Sequence, residues 1–286
     1  MKRIGVLANV SKRNAASVLA AIAERCAAHG MEMVVCDETA DLVPAARRVE
    51  PNSFHTAIDL LIALGGDGTM LHAVRVLNHA DIPVAGVNLG SLGFMTSVTQ
   101  EEAGRVIDVV AEGTFRLSSR TLADCRLIGN GRNAGPVTAL NDLVIGWGAS
   151  PRVITLRVAI DGVEVTSYVC DGLIVSTPTG STGHNLSAGG PILHPEAPAF
   201  VLNVICPHTL STRPLVIPDN SVLTVEVVAA NKNLILSIDG QEHDHVRQGD
   251  RIEMRRHDSR VRFLHLPDYN YFSVLRQKLG WSGSSL

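Results

Sequence analysis

The segment formed by residues 171–191, DGLIVSTPTGSTGHNLSAGGP, is dominated by residues that can hydrogen-bond sugar and phosphate oxygens. Its apolar start predicts a buried strand, and residues 176–190 then contain six hydroxyl side chains and four glycines. Glycines let a backbone approach a ligand closely, and hydroxyl and amide groups satisfy polar oxygens. The segment therefore predicts a binding site for a ligand rich in ribose or phosphate. A long surface loop without a ligand is the alternative.

A second glycine-rich segment, GGDGT at residues 65–69, follows an apolar run and precedes apolar residues at helical spacing. A strand that leads through glycines into a helix N-terminus presents N–H groups and partial positive charge, which suits a phosphate. Asp67 is the unusual member, because a carboxylate repels phosphate unless it holds magnesium or accepts a proton from an attacking hydroxyl. A tight turn with Asp67 as the N-cap is the alternative. The segment is neither a Walker loop nor GxGxxG.

The elements that position these segments change in character along the chain. Residues 1–115 alternate between strand and helix patterns, which predicts a parallel sheet covered by helices. The predicted strands are residues 3–7, 32–36, 59–64 and 83–87, and the predicted helices are residues 15–28, 69–79 and 101–111. From Arg116 onward the pattern is β, with a hairpin turn at Asp161-Gly162 and a final short helix within residues 271–281.

Composition limits the classes of function. The 286 residues are 45% hydrophobic and 19% charged, with a net charge of −3, so we expect neither nucleic-acid nor membrane partners. No apolar run reaches the roughly 20 residues that cross a bilayer, and we expect no signal peptide. The five cysteines lack a CxxC spacing, which favours free thiols in a cytoplasmic protein. No metal site built from protein ligands is expected.

Taken together, the motifs resemble those of bacterial-type NAD kinases, which use ATP to phosphorylate the adenosine 2′-hydroxyl of NAD and so make NADP. The resemblance covers nearly the whole chain. It rests on GGDGT (65–69), NLGSLGFM (88–95), Asn141-Asp142, DGLIVSTPTGST (171–182), NLSAGGP (185–191), RPLVIP (213–218), DGQ (239–241) and LRQKLGW (275–281). GGDGT alone is shared with diacylglycerol, sphingosine and phosphofructo-kinases, whereas the long segment from Asp171 is more specific.

The resemblance implies a NAD kinase-like two-domain fold. It consists of an α/β N-terminal domain with a parallel sheet, residues 1–115, and a β-rich NAD-binding C-terminal domain, residues 116–268. A C-terminal segment, residues 269–286, is implied to pack back on the N-terminal domain, with NAD in the cleft. NAD and ATP are the implied substrates, Mg²⁺ or another divalent cation accompanies ATP, and the implied assembly is a homodimer or homotetramer.

The resemblance also implies roles for individual residues. Asp67 matches the aspartate proposed as proton acceptor, although in-line positioning and magnesium should contribute more than proton removal. The residues implied to bind ATP phosphates are Gly65, Gly66, Gly68 and Thr69. The residues implied to bind NAD are Asp67, Gly68, Phe94, Asn141, Asp142, Arg152, Val169, Asp171, Thr182, Gly183, His184, Asn185, Leu186, Ser187 and Gln241.

The chain departs from the family pattern at several of these positions. Thr182-Gly183-His184 stands where the family usually has Thr-Ala-Tyr, so a large aromatic face is lost and weaker or pH-dependent NAD binding is expected. Asp142 replaces a glutamate that is one methylene longer. Val169 stands where some members carry arginine, which predicts weaker discrimination between NAD and NADH.

Other functions stay open from the sequence alone. A lipid or small-alcohol kinase that shares GGDGT would need an apolar substrate channel, and the polar segment after Asp171 argues against one. A non-enzymatic NAD(P)-binding protein has no need for the Asp67 carboxylate beside phosphate. Because backbone N–H groups do not specify a nucleobase, polyphosphate is an alternative donor to ATP.

Overall fold

The computed structural model describes residues 1–36, 39–129, 132–133, 135–146, 153–230 and 234–281. The chain divides into two compact units. The first unit comprises Met1–Ser119 together with the chain from Val261 onward, and the second unit comprises Arg120–Arg260. Within the described part of the chain, none of the helices has both the length and the apolar character of a membrane span.

The elements are given in chain order. The strands are β1 (Arg3–Ala8), β2 (Glu32–Val35), β3 (Arg47–Arg48), β4 (Leu60–Gly65), β5 (Val84–Asn88), β6 (Arg116–Gly129), β7 (Arg132–Asn133), β8 (Val137–Ala139), β9 (Asp142–Gly146), β10 (Ile154–Ile160), β11 (Val163–Cys170), β12 (Gly172–Ser176), β13 (Ala199–Ile205), β14 (Leu215–Pro218), β15 (Leu223–Ala229), β16 (Leu234–Ile238), β17 (Glu242–Val246) and β18 (Arg251–His265). The α-helices are α1 (Ala15–Ala28), α2 (Thr39–Leu42), α3 (Pro51–Phe54), α4 (Asp67–Val76), α5 (Ala103–Glu112), α6 (His184–Ser187) and α7 (Tyr271–Leu279).

The first unit is built on a parallel sheet in which the strand order is β5-β4-β1-β2-β3. Strands β1, β4 and β5 are nearly continuous apolar runs, as expected for strands that are covered on both faces, whereas β3 consists of two exposed arginines. Buried side chains of β1, β4 and β5 pack with those of α1 and α5 into one core. Parallel strands end at the same edge, so the residues that follow β1, β4 and β5 meet there.

The second unit contains two antiparallel arrangements. One has the strand order β11-β10-β15-β18, and the other has the order β14-β13-β12-β9-β16-β17. Alternate residues such as Leu156, Val158 and Val225 are buried and pack with Leu173 and Leu236 in a common core. Alternation of this kind is what a strand with one buried face produces. The turn at Asp161-Gly162 has positive φ at both residues, 51° and 80°, as a tight hairpin requires.

Candidate active site

The GGDGT segment forms a sharp corner at the end of β4. Gly65 is the last residue of β4, and α4 begins at Asp67, two residues before the predicted start. The helix begins early because the Gly66 carbonyl accepts hydrogen bonds from the N–H groups of Thr69 (3.0 Å) and Met70 (3.2 Å). The first turn of a helix exposes backbone N–H groups and partial positive charge. Such a corner suits an anion such as phosphate.

The corner can be approached closely because its glycines leave space on the outside. Among the described residues, no atom lies within 4 Å of where a side-chain carbon would stand on Gly66 or Gly68. Gly65 differs from them, because a side chain there would collide with the Thr69 hydroxyl. Two glycines therefore leave the outer surface open, and the third allows the strand to pack against the helix.

The Asp67 carboxylate is held by the loop that follows β5. Its Oδ2 accepts a hydrogen bond from the Phe94 N–H at 2.9 Å, and its Oδ1 accepts one from the Met95 N–H at 3.0 Å. A side chain on Gly93 would collide with Asp67 Oδ1 and with the Thr96 hydroxyl. Gly93 is therefore required for the close contact between this loop and Asp67.

Asn88 shapes the same loop. Its buried amide donates to the Ser91 carbonyl at 2.6 Å, and its Oδ1 accepts from the Gly90 N–H at 2.6 Å. These bonds turn the chain directly after β5 and return Phe94 to the corner. The Phe94 ring also contacts α7, because Lys278 Nζ lies 5.5 Å from the ring centroid, within the range of a cation–π interaction.

In the second unit, the polar segment after β12 is folded by its own hydroxyl groups. The Thr177 hydroxyl donates to the Leu140 carbonyl at 2.5 Å, and the Thr177 N–H donates to the Asn141 carbonyl at 2.8 Å. The Ser181 hydroxyl donates to the Pro178 carbonyl at 2.7 Å and accepts from the Leu193 N–H at 3.0 Å. These groups are buried, so they fix the loop rather than face a ligand.

Asn185 belongs to the same internal network. Its Nδ2 donates to the carbonyl oxygens of Ser181 (3.1 Å) and Pro191 (3.0 Å), and its Oδ1 accepts from Asn203 Nδ2 at 3.2 Å. The side chain is completely buried. A side chain on Gly190 would collide with the Asn185 amide. The structure thus gives the Asn185 side chain a positioning role within its segment.

The Asn141-Asp142 pair lies beside this segment, and the Asp239 carboxylate accepts hydrogen bonds from its backbone N–H groups. Asp239 Oδ1 accepts hydrogen bonds from the N–H groups of Asn141 (2.6 Å) and Asp142 (3.1 Å), and Asp239 Oδ2 accepts from the Leu140 N–H at 2.9 Å. Asn141 precedes β9, and Asp142 is its first residue. Gly180 packs so closely that any side chain on it would collide with the Asn141 backbone.

The Asp142 side chain has an unusual electrostatic environment. Its residue is only 5% exposed, and burial together with the neighbouring Asp239 carboxylate raises the pKa of Asp142 to about 7. Both causes disfavour the charged form. Asp142 is therefore suited to donate a hydrogen bond at neutral pH as well as to accept one.

Two buried polar atoms, one on Asn141 itself and one on Thr179, indicate that a ligand binds here. Among the described residues, Asn141 Oδ1 and Thr179 Oγ1 are buried without a hydrogen-bond partner, an arrangement that costs free energy unless another molecule supplies the partner. A side-chain carbon on Gly183 would lie 3.7 Å from Asn141 Nδ2 and 3.8 Å from Asp142 Oδ2. Asn141, Asp142 and Gly183, which the sequence predicted as site residues, are thus brought together.

The remaining predicted residues have varied surroundings. Thr182 closes a short 3₁₀ helix, in which its hydroxyl donates to the Thr179 carbonyl at 3.2 Å. Exposed residues of this group are His184 and Ser187 on α6, Val169 on β11 and Gln241 after the Asp239-Gly240 turn; Leu186 and Asp171 are partly buried. Arg152, which the family resemblance also predicts to bind NAD, lies outside the described residues.

Sequence reasoning missed several residues that build the site. Gly93 and Asn88 lie within the NLGSLGFM motif, and Asp239 lies within DGQ, where an Asp-Gly pair is typical of a hairpin turn. The turn is present, with φ of 52° at Asp239 and 64° at Gly240, and the carboxylate additionally binds three N–H groups. Asn203, on β13, carried no motif signal.

Comparisons with known proteins give a consistent result. Residues 4–115 match the ATP-NAD kinase N-terminal domain, and residues 140–266 match the ATP-NAD kinase C-terminal domain. The NAD kinase of Syntrophotalea carbinolica is 39% identical over 98% of this chain and 99% of its own length. The NAD kinase of Geobacter sulfurreducens is 37% identical over 98% of this chain and 99% of its own length.

Solved structures of the same kind are similar in fold. A yeast NADH kinase complexed with NADH superposes with a TM-score of 0.91 at 26% identity, covering 100% of this chain and 89% of that one. An NAD kinase from Archaeoglobus fulgidus has a TM-score of 0.72 at 22% identity, covering 97% of each chain. The expected two-domain fold, an α/β domain with a parallel sheet and a β-rich domain, is confirmed. With both domains matched and near full-length relatives above 30% identity, the chain belongs to the ATP-NAD kinase family.

Proposed function

We propose that this protein is a NAD kinase, which transfers the γ-phosphoryl group of ATP to the 2′-hydroxyl of the adenosine ribose of NAD and gives NADP and ADP. One observation carries the proposal. The Asp67 carboxylate is fixed by two backbone N–H groups at a glycine-lined helix N-terminus, in a chain that matches both domains of the ATP-NAD kinase family.

The donor phosphates are assigned to the glycine corner. Gly65, Gly66, Gly68 and Thr69 are the proposed phosphate contacts, and the N-terminus of α4 at this corner favours an anion. We also propose that Mg²⁺ accompanies ATP. The residues fit this role, because Mg²⁺ is usually held by substrate phosphates with one or two carboxylates, and Asp67 is the carboxylate of this corner. When bound, the ion neutralises charge on the phosphates.

NAD is assigned to the residues gathered around Asn141. The unpartnered atoms Asn141 Oδ1 and Thr179 Oγ1 suit hydroxyl and amino donors of the adenosine, and Asp142 can accept or donate. We keep Arg152, Val169, Asp171, Thr182, His184, Leu186, Ser187 and Gln241 as proposed NAD contacts. For Asn185 we propose that NAD meets the backbone, because the side chain is already occupied.

Asp67 is proposed to orient the attacking hydroxyl and to receive its proton. In the transfer, the ribose 2′-oxygen bonds to the γ-phosphorus while the bond from that phosphorus to the β,γ-bridging oxygen breaks, and ADP leaves. A carboxylate is a weak base, so most of the rate enhancement comes from positioning and charge stabilisation. The hydrogen bonds from Phe94 and Met95 hold the carboxylate in one orientation for that purpose.

The domain division, the assembly and the cellular location remain predictions. We predict domains at residues 1–115 and 116–268, with a returning segment at residues 269–286. We also predict a homodimer or homotetramer and a cytoplasmic location. Gel filtration with light scattering tests the assembly directly.

The decisive experiment is an assay of the purified protein with Mg²⁺, ATP and NAD, in which NADP is measured with an NADP-specific dehydrogenase. NADP formation that is lost in Asp67→Asn, with NAD affinity retained, supports the proposal. NAD binding without turnover identifies a non-enzymatic binding protein instead. Phosphorylation of diacylglycerol or sphingosine in place of NAD identifies a lipid kinase. Asp67→Asn at near wild-type activity contradicts the role of Asp67.

A further inference from the structure

Lys278, in the last turn of α7, carries an exposed ammonium group within the first unit. Its Nζ lies 5.5 Å from the centre of the Phe94 ring, and the Phe94 N–H donates to Asp67 Oδ2 at 2.9 Å. A single residue, Phe94, thus links the cation to the carboxylate of the glycine corner. None of the ion pairs formed within the described part of the chain includes Lys278.

The helix that presents Lys278 is fixed by contacts of its own. Asn270 caps the start of α7, because its side-chain oxygen accepts the N–H groups of Phe272 at 2.9 Å and Ser273 at 3.2 Å. The next turn packs into the protein, where Val274 and Leu275 are buried. The last turn therefore has a defined position, and the exposed lysine extends from a rigid element.

A second observation places the end of α7 against the loop that follows β5. Gln277, the neighbour of Lys278, lines a cavity of about 500 Å³ together with Asn88, Gly90 and Leu92 of that loop. The same loop continues to Phe94 and supplies the two N–H groups that hold the Asp67 carboxylate. Two separate contacts thus bring the last turn of α7 to the loop that binds Asp67.

The glycine corner lacks a strong cation of its own. Residues 65–74 and 88–99, which form the corner, the first turns of α4 and the loop after β5, contain neither lysine nor arginine. Arg75 lies in the last turn of α4, about 9 Å along the helix from Thr69. Enzymes that transfer phosphoryl groups commonly place a lysine on the donor phosphates. Asp67 adds negative charge at this corner, so the need for such a cation is greater.

We propose that Lys278 binds the donor phosphates at the glycine corner and supplies the cation that the corner lacks. The inference rests on the proposed kinase function and deepens it. A cation–π contact at an exposed site is weak, so a phosphate can draw the ammonium away from the ring. The flexible four-carbon stem of lysine allows that movement. The alternative is a structural role, in which Lys278 only packs on Phe94 or complements the negative end of the helix dipole.

Lys278→Met separates the charge from the packing. Methionine is flexible and its thioether packs well on an aromatic ring, so the contact with Phe94 is kept while the cation is lost. We expect kcat/KM for ATP to fall about 10- to 100-fold, the range of a hydrogen bond to a charged group. Lys278→Arg should recover most of the activity, and KM for NAD should stay within about twofold of wild type in both variants. If Lys278→Met does not fold by circular dichroism, Lys278→Gln replaces it.

Two other cations serve as controls. Arg276→Met removes the other basic side chain in the last turn of α7, so it reproduces any effect of charge at the helix end. Lys2→Met removes an exposed lysine near the N-terminus. Both variants should keep kcat/KM for ATP within about twofold of wild type. A loss in Arg276→Met equal to that in Lys278→Met would overturn the proposal in favour of the helix-end role.

Phosphate binding is measured directly by calorimetric titration of the wild type and Lys278→Met. The probes are inorganic tripolyphosphate, which has no nucleoside, and the β,γ-imido analogue of ATP. Both dissociation constants should rise about tenfold or more in the variant. Unchanged constants for both probes overturn the proposal, and so does a loss of activity confined to KM for NAD. A wild-type protein that forms no NADP contradicts the proposed function instead, and the titration still tests Lys278.

Discussion

Asp239 and Asn141 are joined by a hydrogen bond of 2.6 Å, in which the Asn141 N–H donates to the Asp239 carboxylate. The same carboxylate accepts the N–H groups of Leu140 and Asp142. Three successive backbone donors thus converge on one side chain, which lies at a tight turn 97 to 99 residues further along the chain. Asp239 therefore determines the backbone path of the proposed NAD contacts without needing to touch NAD.

Removal of this carboxylate should destabilise the protein. Asp239→Ala leaves three N–H groups without their acceptor, two of them buried, and each unsatisfied group costs about 1–3 kcal/mol. We expect the free energy of unfolding to fall by about 2–4 kcal/mol, reduced somewhat by relief of the repulsion with Asp142. Asp239→Asn should lose less. Urea unfolding measures the change, and Glu24→Ala, at an exposed position of α1, is the control. A loss below about 1 kcal/mol would contradict the positioning role.

Asp142 should make stability depend on pH in a definite direction. Its pKa is about 7 in the folded protein and about 3.9 in an unfolded chain. Between these values the folded state binds a proton that the unfolded state lacks, so the contribution of Asp142 to stability is present at low pH and is lost as pH rises toward 7. The slope reaches at most about 1.4 kcal/mol per pH unit.

The measurement compares wild type with Asp142→Asn in urea at several pH values from about 5 to 8. The amide cannot ionise, so the stability of the variant relative to wild type should rise with pH and level off above about pH 7. A difference that is constant across this range would show that Asp142 ionises freely in the folded protein.

The sequence could predict the parallel sheet and the glycine corner because both depend on local patterns. Apolar runs marked β1, β4 and β5, and GGDGT marked the turn into α4. The start of α4 was wrong by two residues, because the Gly66 carbonyl begins the helix before the apolar spacing becomes visible. The short elements α2, α3 and β3 have no periodicity to detect, since each spans four residues or fewer.

The site could be predicted only in part, because long-range contacts leave no periodic signal. Motif resemblance located Asn141 and Asp142, but the sequence gave no way to see that Asp239 is their acceptor. It also could not distinguish Asn185 as a buried member of a network from Asn185 as an exposed ligand contact. Burial and hydrogen-bond partners, which depend on the tertiary fold, make that distinction.

Gly93 should be essential for turnover. A methyl group in Gly93→Ala would collide with Asp67 Oδ1 and with the Thr96 hydroxyl, so the Asp67 carboxylate must move. A displacement of about 1 Å at a reacting group can cost about 100-fold in rate, and we expect a loss of kcat of that order in the NADP assay. Gly90→Ala is the control in the same loop, because its nearest atom would be Asn88 Oδ1 at 3.9 Å. Equal activity of the two variants would contradict the argument.

His184 should bind NAD more weakly than a tyrosine at the same position would. The residue is exposed at the start of α6, where a tyrosine would add a larger face for stacking. We expect His184→Tyr to lower KM for NAD several-fold, because the phenol ring offers the larger surface for stacking. The control is His208→Tyr, at another exposed position. A KM for NAD in His184→Tyr equal to that of the wild type would refute the expectation.

The Asn185 side chain should contribute to the stability of the fold rather than to the recognition of NAD. Its amide donates to two carbonyl oxygens and accepts from Asn203, all within the protein interior. Asn185→Ala removes these bonds and opens a cavity, so we expect the free energy of unfolding to fall by about 2–4 kcal/mol. Asn185→Asp should be similarly harmful, because a carboxylate cannot donate to the Ser181 and Pro191 carbonyls.

Ser187→Ala, on the exposed side of α6, is the control for unfolding. Because the loss acts through folding, KM for NAD at a temperature where the variant is folded should stay within about threefold of wild type, a difference below about 0.7 kcal/mol. A large rise in KM for NAD with normal stability would show instead that the Asn185 side chain contacts NAD.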